Sequence, residues 1–436
     1  MKQDTNGVKS DPNSMMAELK SKFKHTHAEL SGLPYFKALM DHNLPVESYV
    51  TQLRAMNVIY SVLETELSAA TDSRVTAVWR DDMRKVPLLQ ADLAFFEPKQ
   101  IANAPDAIEA ALHVVEAIRL CQVTTPHALL GCLYVMEGTT LGNWVHRPDI
   151  VKTFHLDSPA GSHYYSGYGE SVRTHWQGFV ERMNAALVDE SLHEPVIDAA
   201  RDVFASLIAL HAKLFPLEEM SSSLHVTQIN PEAGNHSVPD DPREIDAAFR
   251  ASGRAWAEFP YYQLRFSGRG RRFSDSDICW LVTLTSLELE ETHQQINWLN
   301  RVLASRGMPS VMLEQTLRIL HEELVATIPD QRERYDKLLD VADTFRARRL
   351  EHLPDEQARP LIQAFEQAVG PELAKTYPDA GLLLACAVAD TLGGIDEALP
   401  SLRSFLEDEE HFPNQWLAAV HTMVVELGAG APQSAT

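Results

Sequence analysis

The sequence has few cysteines, a deficit of basic residues and no long apolar run. Its 436 residues include four cysteines, none in a Cys-x-x-Cys pair, which excludes zinc ribbons, iron–sulfur clusters and disulfide scaffolds and indicates a reducing compartment. Lys and Arg number 38 against 61 Asp and Glu, so a net charge of -23 repels nucleic acid and anionic membranes. The polar N-terminus lacks the apolar segment of a signal peptide, and no apolar run could span a bilayer. We therefore expect a cytoplasmic protein that binds no nucleic acid and inserts into no membrane.

Strand signals are nearly absent, and most of the chain repeats apolar residues at helical spacing instead. The length suggests two domains, and an apolar content of 45% can supply their cores. The expected fold class is all-α. The predicted helical segments are 15–31, 46–71, 83–96, 106–120, 126–146, 170–190 and 196–213, followed by 244–258, 275–303, 309–326, 330–350, 357–374, 379–392, 397–407 and 412–427.

One stretch, residues 221–243, mixes Ser, Asn, Pro, Gly and Asp without any apolar period, as is typical of an interdomain linker. It separates a first domain over residues 15–220 from a second helical domain over 244–430. We expect disordered tails at residues 1–14 and 431–436.

His25 and Glu29 stand one helical turn apart near the start of the first predicted helix. At this spacing a carboxylate can accept the proton of one imidazole nitrogen while the other nitrogen binds a metal. His27 has Ser31 at the same offset and so lacks such a partner. The alternative interpretation is a pair of surface histidines on a polar helix.

Three glycines, Gly131, Gly138 and Gly142, fall on one stripe of a predicted helix. Each costs about 1 kcal/mol relative to alanine in a helix interior. The stripe therefore indicates that a flat or bulky group approaches the backbone closely. Tight packing of two helices through small residues is the alternative.

Together these features resemble the heme oxygenase family, particularly its bacterial biliverdin-producing branch. The resemblance covers about residues 15–220, and no family is recognised in the second domain. It is carried by five sequence blocks in the expected order: HTHAE at 25–29, VIYSVLE at 58–64, DLAFF at 92–96, LYVMEGTTLG at 133–142 and ERMN at 181–184.

The resemblance implies a heme-oxygenase-like helical bundle that takes heme as both substrate and cofactor, together with O2. His25 corresponds to the family's iron ligand, with Glu29 as the carboxylate that orients it. Gly138 and Gly142 correspond to the glycine-rich helix on the other face of the porphyrin, where the missing side chains leave room for dioxygen.

Other positions of the first domain match or depart from the family pattern. Thr139 and Asn143 are expected to hold a proton-delivering water, and Tyr134 to contact heme. Family members usually have a glycine in place of Asn143, and some have an aspartate in place of Thr139. Glu18, Trp176 and Val180 stand where basic residues clamp the heme propionates in some members. The candidate replacements for that clamp are Lys22, Arg173 and Arg182.

The leading hypothesis is therefore a heme oxygenase, an oxidoreductase that cleaves heme to biliverdin, CO and Fe²⁺. Its electrons must come from a separate ferredoxin or reductase, because no dinucleotide-binding motif occurs. A non-catalytic heme sensor or carrier on the same fold is the alternative. A di-iron oxidase ranks third, since the only local ligand set is Asp189, Glu190 and His193. The oligomeric state and the attacked meso carbon stay open.

The second domain has one unusual segment, residues 258–273, with five aromatic residues and four arginines. We expect a loop there, ahead of a helix capped by the Ser and Asp residues at 274–277. The segment could bind an acidic partner or an anionic ligand, or simply anchor a surface loop. His293 and His321 are candidate axial ligands, although a lone helical histidine is more often structural.

Overall fold

The computed structural model describes residues 14–99, 101, 104–217, 229–230, 233 and 236–430. All regular elements within these residues are helices, which confirms the expected all-α fold class. None of the described helices combines the length and hydropathy that crossing a membrane requires.

The backbone contacts divide the chain into two compact units. The first unit ends at Ile229 and includes residues 240–242, and the second takes residues 230–239 and everything from Arg243 onward. The predicted tails lie almost entirely outside the described residues, as does most of the predicted linker. A helix begins at Pro242, one residue before the last residue of the predicted linker.

The first unit consists of helices of very different length. Its described helices are α1 (Met15–Lys22), α2 (Lys24–Ser31), α3 (Pro34–Met40), α4 (Val46–Ala69), α5 (Ser73–Val78), α6 (Val86–Phe96), α7 (Pro105–Thr124), α8 (Leu129–Thr153), α9 (His163–Ser166), α10 (Val172–Ala186) and α11 (His193–Leu214), joined in places by short 3₁₀ turns.

Four long helices, α4, α7, α8 and α11, form the centre of this unit. Helix α4 is buried along most of its length and packs against α6 and α7, while α11 packs against α7 and α8. Helix α8 also contacts α3, α9 and α10, so it runs through the interior with neighbours on several sides. Such a position explains why its sequence is apolar over the first two turns rather than amphipathic.

The first predicted helix, residues 15–31, is wrong as a single helix, because the chain breaks at Phe23. The Phe23 backbone leaves helical geometry, with φ -102° and ψ 10°. Its buried side chain packs against Phe204 of α11, with the ring centroids 5.1 Å apart. Burial of this ring directs the short helix α2 along α11.

The second unit contains ten further helices among the described residues. They are α12 (Pro242–Glu258), α13 (Tyr261–Leu284), α14 (Leu289–Ser305), α15 (Ser310–Thr327), α16 (Arg332–His352), α17 (Asp355–Val369), α18 (Pro371–Thr376), α19 (Ala380–Leu392), α20 (Ala398–Leu406) and α21 (Asn414–Gly430). Part of its core surrounds Trp416, a fully buried side chain between α17, α19 and α21. Its indole Nε1 donates a hydrogen bond to the Leu406 carbonyl at 3.0 Å.

The predicted loop over residues 258–273 is wrong, because most of this segment is helical and belongs to α13. Helix α13 bends at Ser267, whose φ of 51° and ψ of -163° interrupt the helical backbone. The buried Tyr261 and Tyr262 hold the first part of the helix in the core. Residues 274–277 accordingly lie inside α13 rather than at a helix start, and the predicted helix 275–303 is divided between α13 and α14.

Candidate functional site

The three glycines of the predicted stripe on α8 have different surroundings. A Cβ atom added to Gly131 would lie 2.0 Å from the Val196 carbonyl oxygen, so this glycine permits close packing of α8 on α11. A Cβ on Gly138 would meet only the Trp176 ring, at 4.0 Å, and one on Gly142 would meet nothing within 4 Å. Helix α8 therefore borders open space at Gly138 and Gly142, which we call the α8 opening.

His25 and Glu29 both lie on α2 with exposed side chains. Within the described part of the chain neither side chain has a hydrogen bond or an ion pair, so the predicted contact between them is not formed in this structure. The imidazole of His25 is thus accessible to a ligand. Its role as an iron ligand, and that of Glu29 as its orienting partner, stay predictions.

The Phe204 side chain of α11 connects α2 with α8. His27 packs edge-on against the Phe204 ring, with centroids 4.8 Å apart, and Tyr134 of α8 lies 6.5 Å from the same ring. Burial lowers the pKa of His27, which keeps this imidazole neutral near pH 7. His27 is therefore part of an aromatic contact, whereas His25, two residues earlier, is not.

An aromatic wall adjoins the α8 opening. The Tyr134 and Trp176 rings lie 6.2 Å apart, and Trp176 is the side chain nearest to Gly138. Burial raises the pKa of Tyr134 to about 12, so the phenol stays protonated. Trp176 occupies a position where some family members have a basic residue, and here it contributes apolar surface instead.

The three candidate propionate contacts, Lys22, Arg173 and Arg182, are held in different ways. The Lys22 ammonium is exposed and lies 3.4 Å from Glu18 and 3.8 Å from Glu194. The Arg182 Nε donates a hydrogen bond to the Val78 carbonyl at 3.0 Å, which fixes this side chain against the end of α5. Arg173 of α10 is exposed and forms no hydrogen bond or ion pair within the described part of the chain. Arg173 and Lys22 are therefore more available than Arg182.

Thr139 and Asn143 belong to a group of buried hydroxyl and amide side chains behind α8. Thr139 Oγ1 and Tyr60 Oη both donate to the Met136 carbonyl, at 2.7 and 2.9 Å, and lie 3.3 Å apart. Asn143 is 8% exposed and lies beside the Tyr164 hydroxyl, whose pKa is raised mainly by burial, and its Nδ2 has no hydrogen-bond partner among the described residues. Asn143 thus faces the protein interior, where it does not narrow the α8 opening.

The DLAFF block positions this hydroxyl group. The fully buried Asp92 accepts hydrogen bonds at 2.8 Å from the backbone N–H groups of His163 and Tyr164 and from the His163 Nδ1. A carboxylate at a helix start satisfies N–H groups that have no partner within the helix. Asp92 therefore anchors α9 and, with it, the Tyr164 phenol.

A buried ion pair beside the α8 opening was missed by the sequence analysis. Lys85 Nζ lies 3.3 Å from the carboxylate of Glu137, the residue before Gly138, and 2.9 Å from the Tyr168 hydroxyl. Burial lowers the pKa of Lys85. The Tyr168 ring stacks on the half-buried His175 at 4.0 Å. Lys85 and Glu137 are 52 residues apart in the sequence, so no local pattern indicates their pairing.

The histidines proposed for other metal chemistry have carboxylate partners. His193 contacts Glu18 through Nδ1 and the Leu187 carbonyl through Nε2, both at 3.0 Å, so it is occupied on both sides of the ring. Among the described residues no three His, Cys, Asp or Glu side chains are grouped as a metal site. In the second unit His293 and His321 pair with Asp340 and Asp336 at 2.6 and 2.7 Å.

Comparison with known proteins finds similarity in the N-terminal region. The heme oxygenase family model matches residues 13–213, which confirms the resemblance for this region, while no family model matches the C-terminal region. Heme oxygenase 1 of Gallus gallus is 24% identical over 242 residues, which cover 54% of this chain and 82% of that protein.

The similarity to solved structures of heme oxygenases covers 46% of the chain. Heme oxygenase-1 from the cyanobacterium Synechocystis, in complex with heme, is 18% identical with a TM-score of 0.42 and covers 46% of this chain and 92% of its own. The Leptospira interrogans enzyme has the same identity and TM-score and covers 46% of this chain and 99% of its own.

Proposed function

We propose that the first unit binds heme between α2 and α8 and cleaves it oxidatively to biliverdin, CO and Fe²⁺. The observation that carries this proposal is the α8 opening at Gly138 and Gly142, within a region that matches the heme oxygenase family model. A side chain at either glycine would extend into the space that a flat macrocycle needs. The residues present therefore fit heme.

The side chains around the proposed site suit a large apolar substrate with one metal centre. His25 supplies an accessible imidazole for the iron. Tyr134, Trp176 and Phe204 supply aromatic surface. Lys22 and Arg173 are the exposed cations available to the propionates. Bound heme would supply both the iron that activates O2 and the carbon that is oxidised.

The protein would contribute a substrate face without side chains and buried hydroxyl groups that keep their protons. At Gly138 and Gly142 only backbone atoms would face one side of the substrate. Tyr60 and Tyr164 are buried phenols whose pKa is raised by burial, so both hydroxyls keep their protons near pH 7. Through Thr139 and Asn143 these phenols connect to α8 and can orient a water molecule there.

Electrons for the reaction would come from a separate cytoplasmic ferredoxin or reductase. The sequence contains no nucleotide-binding motif that could supply them within the chain. The acidic net charge of -23 favours a donor with a basic contact surface.

A non-catalytic heme sensor or carrier is the second candidate, and one observation favours it. Arg182 is engaged with the Val78 carbonyl, and Glu18 and Trp176 occupy positions of basic residues in some family members. Only Lys22 would then hold the propionates unless Arg173 also binds one, and with a single cation heme could rotate in its plane and lose the orientation that cleavage of one meso carbon requires.

Hemin titration followed by reduction in air distinguishes these functions. The apoprotein is titrated with hemin at the Soret band, and ascorbate is then added with catalase present. Loss of the Soret band with growth of red bilin absorbance supports the oxygenase. Stable ferrous heme contradicts it and supports the sensor or carrier, and failure to bind hemin contradicts both.

A further inference from the structure

The second unit contains a cavity of about 440 Å³, a volume within the range of small-molecule binding sites. Helices α12, α13, α14 and α15 all contribute to its walls. The part of α13 around the Ser267 bend supplies Tyr262, Phe266 and Phe273, which belong to the aromatic segment singled out in the sequence. That segment therefore encloses a cavity rather than forming a surface loop.

The cavity walls are mainly apolar and aromatic. Trp256 and Tyr262 stack at 5.3 Å with an interplanar angle of 16°, and Trp298 stands on the opposite helix α14 with about half of its surface exposed. At Gly270 an added Cβ would lie 2.5 Å from the Phe266 Cβ and 3.4 Å from the Trp256 ring, so the glycine keeps this part of the wall compact. Such walls suit a flat apolar body.

The polar groups at the cavity differ in availability. Asp277, the acidic residue of the lining, is already paired with His236 at 3.1 Å, and His236 stacks on Trp280 at 4.5 Å. The Trp256 Nε1 is buried without a hydrogen-bond partner among the described residues, and because it has almost no accessible surface a ligand in the cavity does not reach it. Arg306 is exposed at the C-terminal end of α14, and its guanidinium forms no ion pair within 4 Å in the described part of the chain. Its charge partly offsets the burial that raises the pKa of Asp277.

Arg306 is therefore the charged group of the described lining that remains available to a ligand. A guanidinium is a hydrogen-bond donor only and pairs best with an anionic oxygen group. We propose that this cavity binds a flat, largely apolar organic molecule with one anionic group, its body between the aromatic walls and its anion at Arg306. The site lies wholly within the second unit and is independent of the proposed heme chemistry.

A matched pair of fluorescent probes tests both parts of this proposal on the full chain without hemin. The anionic probe is 8-anilinonaphthalene-1-sulfonate, and the neutral one is N-phenyl-1-naphthylamine, which has the same aromatic body without the sulfonate. We expect saturable binding of the anionic probe at one site that depends on the cavity. Removing a charge-assisted contact should weaken it about tenfold.

Two substitutions locate the binding. Val302→Trp fills the cavity from α14 and should abolish the saturable component, whereas Val425→Trp, at a residue that is 56% exposed and outside the cavity, should not. Arg306→Ala should weaken binding of the sulfonate about tenfold and leave the neutral probe unchanged. Arg301→Ala removes an equal charge from an exposed residue of the same helix outside the cavity lining and serves as its control.

The outcomes are distinct from those of the heme experiments. Binding that Val302→Trp leaves intact would place the probe elsewhere and overturn the cavity as a ligand site. If Arg306→Ala affects both probes equally, or neither, the anionic part of the proposal is wrong. Arg306 is exposed, so this variant tests the proposal even if Val302→Trp destabilises the fold.

Discussion

The ammonium of Lys85 lies 3.3 Å from the carboxylate of Glu137, and both side chains are almost completely buried. Lys85 immediately precedes α6, and Glu137 immediately precedes Gly138 in α8. The ion pair therefore connects the segment before α6 to the part of α8 that borders the α8 opening. Two buried charges are costly unless each has its partner. The pair therefore fixes the position of α8 where the proposed substrate would lie.

Removing one member of this pair should destabilise the protein strongly. We expect Lys85→Met to lower the free energy of unfolding by about 3–5 kcal/mol, because Glu137 would remain as an unpaired buried charge. The double variant Lys85→Met with Glu137→Leu should recover most of that loss. Urea unfolding measures the difference, with Lys152→Met at an exposed residue of α8 as the control. Equal losses in the single and double variants would argue against a coupled pair.

The two nearby histidines should differ in their effect on bound heme. His25→Ala should abolish the six-coordinate ferric heme spectrum, because it removes the accessible imidazole on α2. His27→Ala should preserve that spectrum, because His27 packs against Phe204 instead. Absorbance titration with hemin makes the comparison. The reverse result would move the iron ligand by two residues.

Substitutions at the glycines of α8 should have two different effects: a loss of stability at Gly131 and a loss of hemin binding or turnover at Gly142. Gly131→Ala should cost about 1–3 kcal/mol or more of stability, because its Cβ would overlap the Val196 carbonyl of α11. Gly142→Leu should fold normally, since no atom lies within 4 Å of its Cβ, yet block hemin binding or turnover. Thermal unfolding and hemin titration of both variants check this contrast. Unimpaired turnover in Gly142→Leu would exclude the α8 opening as the substrate site.

The helix positions followed well from the sequence, whereas two departures depended on distant partners. The break at Phe23 is stabilised by Phe204, which lies far along the chain, so no local period indicates it. Likewise Gly131 and Gly142 look alike in sequence, and only the presence of α11 beside Gly131 separates packing from open space. Burial of Tyr261 and Tyr262 similarly makes a helix of a segment whose glycines and arginines resemble a loop.

The candidate site was predicted in part. The positions of His25, Tyr134, Gly138 and Gly142 could be taken from the sequence blocks. The structure shows which residues surround each of them. The Lys85–Glu137 pair could not be predicted, because its members are 52 residues apart and lie in two different predicted helices. The same holds for the contact between Arg182 and the Val78 carbonyl, which no sequence spacing indicates.

Acid should destabilise the first unit partly through His211. Burial lowers the pKa of His211 to about 4, and its Nδ1–H donates to the Leu207 carbonyl at 2.8 Å. The unfolded chain takes up a proton near pH 6.5 and the folded chain near pH 4, so stability is full above pH 6.5 and falls between these values. The expected slope from this group is about 1.4 kcal/mol per pH unit.

The His211 Nε2 also lies 3.2 Å from the Gln52 amide nitrogen. The variant His211→Gln should remove the contribution of His211, since the new amide can replace the hydrogen bonds to Leu207 and Gln52 and does not titrate. The free energy of unfolding measured from pH 7 to pH 4 should therefore fall less steeply than in the wild type. His113→Gln, at an exposed position of α7, is the control. Parallel curves for wild type and His211→Gln would show that His211 is protonated in the folded protein.

Counting the products of a single turnover tests the central claim most directly. The hemin complex is reduced by ascorbate in air with catalase present, CO is trapped with ferrous myoglobin, and bilins are separated by chromatography. We predict one CO and one biliverdin for each heme lost. Loss of heme without CO and biliverdin in equal amounts would contradict heme oxygenase activity, as would ferrous heme that persists in the presence of O2.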